Sequence, residues 1–93
     1  MDAFEINSLR AELERRGARY LEFLRAPSMS LGVYSLAAGA RDEQKPHTED
    51  EVYYVLSGRA RVLVGEEERE VEAGHVIFVE PKSRIAFTAS RKI

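Results

Sequence analysis

The chain contains no cysteine. That single absence excludes a disulfide scaffold, a thiolate-ligated zinc site and a thiol nucleophile. No apolar run approaches the ~18 residues that a bilayer-spanning helix requires. The opening residues, MDAFEINSLR, have neither a basic stretch nor an apolar core. No secretory leader is therefore expected, and the expected location is the cytoplasm. Neither G-x-G-x-x-G, a phosphate-binding P-loop nor the G-x-S-x-G nucleophile turn occurs. An excess of one charge is also missing: 14 Lys and Arg stand against 16 Asp and Glu, interspersed, for a net charge of −2. The sequence offers no electrostatic case for nucleic acid or for a membrane surface.

What remains is an ordinary globular composition, 44% hydrophobic and 32% charged over 93 residues, enough for one domain. A domain of this size hides only about 60% of its unfolded surface, so its core is thin and a homodimer is expected. Residues 8–16 (SLRAELERR) read as a short helix. Asn7 or Ser8 serves as its N-cap, Leu9 and Leu13 lie on one face, and Gly17 ends it. Residues 1–17 thus form an N-terminal segment, and 18–93 read as strands. The candidates are Tyr20–Arg25, Met29–Ala37, Glu51–Leu56, Ala60–Val64, Arg69–Glu72, His75–Val79 and Arg84–Thr88. Turn signals separate them, among them Pro27-Ser28, Ser57-Gly58 and Ala73-Gly74. Short, closely spaced strands indicate an all-β sandwich or small barrel. The acidic run Glu66–Glu70 reads as a solvated hairpin tip, since neighbouring strand residues face opposite ways and cannot converge on one ion.

The chemistry concentrates between Gly39 and Gly58. In an extended backbone Lys45, His47, Glu51, Tyr53 and Val55 share a face, while Val52, Tyr54 and Leu56 cover the other. Such a strand, apolar on both sides, is expected to be buried on both sides. Gln44 has the wrong parity to join the first set. A glutamate pointing inward needs a partner. A metal ion, His47, or Lys45 in an ion pair would each serve. His75, after the Ala73-Gly74 turn, reads as a surface histidine.

This stretch resembles the first motif of the cupin superfamily, G-x5-H-x-H-x3,4-E-x6-G. Gly39, Lys45, His47, Glu51 and Gly58 reproduce its spacing, with Lys45 in place of the first histidine. The second motif, G-x5-P-x-G-x2-H-x3-N, aligns from Gly74 in outline. Glu80, Lys82, Ile85 and Ala89 stand at its proline, glycine, histidine and asparagine. The resemblance covers residues 18–89 and implies an all-β, jelly-roll cupin-like β-barrel behind the short N-terminal helix. It implies a pocket bordered by Lys45, Tyr53, Ile85 and Phe87 that receives a small molecule. It also implies His47 and Glu51 as the surviving ligands of one divalent ion (Zn, Ni, Fe or Mn), with a metal-free pocket as the equal alternative. Cupin-like barrels usually run on for another strand or two past the second motif, so closure by a dimer partner is expected. Three functions follow: a small-molecule-binding cupin domain, a metal-dependent isomerase or dioxygenase, or a metal-free structural module. For any catalysis Glu51 is the best candidate base.

Overall fold

The protein is described over residues 1–93 by a computed structural model. Its backbone falls into two compact units, Met1–Ser35 and Leu36–Ile93. The first holds helix α1 (Ile6–Arg16) and the antiparallel hairpin of β1 (Tyr20–Ala26) and β2 (Met29–Tyr34). The helix starts earlier than its sequence signals suggest, because Glu5 caps it rather than Asn7 or Ser8. The Glu5 carboxylate accepts the N–H of Asn7 at 3.1 Å, and the N–H and hydroxyl of Ser8 at 2.7 Å each. The Ser8 hydroxyl, then the two N–H groups, hold that carboxyl below its ordinary 4.5. Leu13 is the helix's buried residue, as its spacing with Leu9 predicts. Phe4 meets Phe23 of β1 edge-on, with ring centroids 4.9 Å apart. Gly17 ends the helix, as expected.

The second unit carries β3 (Arg41–Gln44), β4 (Glu51–Tyr54), β5 (Arg59–Val64), β6 (Glu67–Glu72), β7 (Val76–Val79) and β8 (Ile85–Arg91). Four of these form a sheet in the order β3-β8-β5-β6, and β4 pairs with β7 in a separate ladder. The ladders do not join into one closed ring of hydrogen bonds, so the jelly roll is open rather than a sealed barrel. Strand β3 is invisible to pattern reading: Arg-Asp-Glu-Gln has no strand propensity, and pairing with β8 makes it a strand.

Register lays the inner face of the large sheet out in rows. Asp42 pairs with Phe87, Phe87 with Val62, and Val62 with Arg69. Gln44, Ile85, Val64 and Glu67 form the next row. Ile85, Phe87, Val62, Val71 and Ala60 are all buried, and with Leu36, Val55 and Val79 they make the core. On the outer face Glu68, Glu70 and Glu72 of β6 meet Arg61 and Arg59 of β5, the closest pair being Arg59–Glu70 at 3.1 Å. The acidic run is therefore a cross-strand charge ladder on an exposed hairpin, consistent with its alternating geometry.

One expectation is corrected here. Val52 and Tyr54 of β4 are not buried on both sides: they are 66% and 62% exposed, and Leu56 is 40% exposed. Val52 lies opposite Phe78 and Tyr54 opposite Val76. These four side chains form a continuous apolar outer face that no element of this unit's sheets covers.

Candidate functional site

Strand β3 delivers Asp42 and Gln44 inward and then stops. Residues 45–50 form an irregular loop, so strand alternation does not carry through to Glu51. Lys45 lands on the exposed side of that loop, outside the set in which continuous alternation would place it. His47 returns half-buried, and its carbonyl accepts the N–H of Lys82 at 2.6 Å, which ties the loop to the turn before β8. Strand β4 then presents Glu51 and Tyr53 inward, both half-buried.

Five side chains from this loop and two sheets converge. Nδ1 of His47 is hydrogen-bonded to Oε1 of Glu51. The Tyr53 hydroxyl lies 2.9 Å from Oε2 of Glu51 and 2.9 Å from Oε1 of Gln44. The Gln44 amide in turn donates to Asp42 at 3.2 Å. A hydroxyl has one proton, so Tyr53 can donate to only one of its two acceptors at a time. The Tyr53 ring packs edge-on against Phe87, with centroids 5.2 Å apart. Phe87 and Ile85 are 3% and 1% exposed and form the floor under the polar cluster. Spacing alone could not have found Asp42 and Gln44, because only the β3–β8 register turns them inward.

A concavity of about 680 Å³ lies elsewhere, lined by residues of the β5–β6 hairpin and of β7. Its floor is Val62, Val64, Val71 and Ile77, and glutamates 66–68 and Glu80 stand around it, with His75 half-buried at its edge. None of His47, Glu51 and Tyr53 lines it.

A divalent ion at the cupin position would need three or more protein ligands. Of the four motif positions that the resemblance implies as ligands, 45, 47, 51 and 85, Lys45 is an exposed cation and Ile85 a buried hydrocarbon. Both oxygens of Glu51 already have partners. No three His, Asp or Glu side chains come close enough to share an ion. The donor set does not fit a tight divalent site.

Polar side chains of both sheets gather inside an open jelly roll, the arrangement that the cupin resemblance implies. The family model for the cupin domain matches residues 32–90, and the chain belongs to that family. An uncharacterized protein of Streptomyces coelicolor is 49% identical over 79 residues, which is 85% of this chain and 75% of that one. A Rhizobium leguminosarum structure of unknown function superposes with a TM-score of 0.78 at 19% identity, over 98% of this chain and 86% of the other. A cupin superfamily protein of Desulfitobacterium hafniense gives 0.72 at 15% identity, over 78% and 67%. Some matched structures are longer still: the chain spans 63% of a Photorhabdus luminescens protein, which covers 77% of this chain at 16% identity and TM-score 0.68. At these identities the solved structures show the fold and no more.

Proposed function

We propose that this cupin domain binds a small molecule whose polar group is received at His47, Glu51 and Tyr53. The observation that carries this reading is the convergence itself. Polar side chains from the loop and from both sheets meet half-buried above an apolar floor, and the His47 side chain stays 40% exposed. A purely structural cluster would have no need of an open imidazole edge. A metal-dependent isomerase or dioxygenase gains no support from the donor set. The test is a ligand-observed NMR screen of a small-molecule library on the tag-free chain, followed by His47→Ala. Loss of one hydrogen bond to a buried or charged group is worth about 1.5–3 kcal/mol, so affinity should fall about tenfold or more with the fold intact. Unchanged affinity would move the ligand to the concavity beside Val62 and Ile77. A screen without binders would leave a structural module.

A second copy of the chain is the partner that goes with this reading. The outer face of β4 and β7 offers two directly opposed apolar pairs with no charge among them, a surface suited to its own copy rather than to a charged partner. Light scattering at micromolar concentration should return twice the monomer mass. A well-folded monomer would overturn the dimer.

A further inference from the structure

We propose that His47 and Glu51 work as a metal-free hydrogen-bond acceptor: Glu51 keeps the imidazole proton on Nδ1, and Nε2 is left to accept from a neutral hydroxyl-bearing ligand. The proposal rests on the small-molecule reading above and names the class of molecule. An ionised carboxylate only accepts hydrogen bonds, so the proton between it and Nδ1 belongs to the ring. A protonated Nδ1 has no lone pair for a metal. Nε2 lies on the far side of the ring from Glu51, so one ion cannot take Nε2 and the Glu51 carboxylate together while that contact holds. Tyr53, 2.9 Å from the other oxygen of Glu51, and Gln44, tied to Asp42, are positioning residues that keep the carboxylate turned toward the ring. Two carboxylates, Asp42 and Glu51, stand in this cluster, and Lys45, next in sequence to Gln44, is directed to solvent. An anionic ligand is disfavoured there, and a ligand group that meets Nε2 must donate. The Tyr53 ring beside it suits an aromatic or apolar body behind the hydroxyl.

The experiment is long-range proton–nitrogen NMR of the histidine rings in the tag-free chain, in mildly alkaline buffer where imidazole is neutral. His75 serves as the internal reference. His47 is expected to show a protonated Nδ1 and a bare Nε2. Glu51→Ala should return it to the Nε2-protonated form that free imidazole side chains prefer. Added Zn²⁺ or Ni²⁺ at a few equivalents should leave the His47 signals of the unaltered chain in place. Phenol should shift Nε2 of His47, and benzoate should not. Saturation by stoichiometric zinc with movement of His47 would overturn the proposal, as would an Nε2-protonated ring in the unaltered chain. A benzoate shift without a phenol shift, or no shift from either, would overturn the ligand class. The ring spectrum of the free chain tests this inference alone, whereas the library screen tests the binding reading, so the two failures are told apart.

Discussion

Gly58→Ala should destabilise the protein by about 2–5 kcal/mol, the sum of ~1–2 for a left-handed backbone and ~1–3 for overpacking. Gly58 sits at φ +85°, and a Cβ placed there would lie 1.9 Å from the carbonyl oxygen of Lys92 and 2.6 Å from its carbon. Backbone cannot give way as a side-chain end can. The Lys92 segment is also held in place: Ile93 donates to Leu36 at 3.0 Å and receives its N–H at 2.9 Å. Moving the segment would break that pair over a buried Leu36. Gly39 supplies the control. Its φ is +83°, but nothing lies within 4 Å of its added Cβ. Gly39→Ala should therefore cost only the conformational part, about 1–2 kcal/mol. Urea denaturation of the two variants side by side checks this. Equal midpoints would show that Lys92 does not crowd Gly58. The two glycines bound one motif spacing, yet they are required for different physical reasons.

Phe87→Ala is expected to cost about 3–5 kcal/mol, the usual range for removing a buried aromatic. Phe87 lies mid-strand in β8, between Asp42 of β3 and Val62 of β5, and is 3% exposed. Its ring also makes an edge-on aromatic contact between the large sheet and the β4–β7 ladder, through Tyr53. The cavity would open beneath the polar cluster and free the Tyr53 ring. For a domain of this length each kcal/mol moves the midpoint of thermal unfolding by about 4–8 °C, so a drop of more than ~10 °C should be seen by circular dichroism. Phe87→Leu should recover part of it. A loss below ~1 kcal/mol would mean that the sheets are held together by other contacts.

The polar cluster shows how far pattern reading reaches. His47 and Glu51 were legible from their spacing, and Tyr53 from its parity with Glu51. Gln44 and Lys45 were misplaced by the same rule. Alternation propagates only along continuous extended backbone, and the loop at 45–50 interrupts it. The count therefore restarts at β4, which leaves Lys45 in solvent and Gln44 inside. The extra strand β3 went unread for a related reason: four polar residues become a strand only when β8 offers them a ladder.

By itself, the sequence determined the class of the fold, the short helix and its end at Gly17, the positions of most turns, and His47 and Glu51 as the candidate residues on which the site reading centres. These depend on local periodicity, on turn chemistry and on a motif read along one strand. The tertiary structure alone decided that the His47 and Tyr53 side chains both lie against the Glu51 carboxylate, that Asp42 and Gln44 complete the cluster, and that Val52, Tyr54, Val76 and Phe78 face outward together. Those outcomes depend on the register between strands distant in sequence, and no local pattern encodes which residue of β3 lies beside which residue of β8.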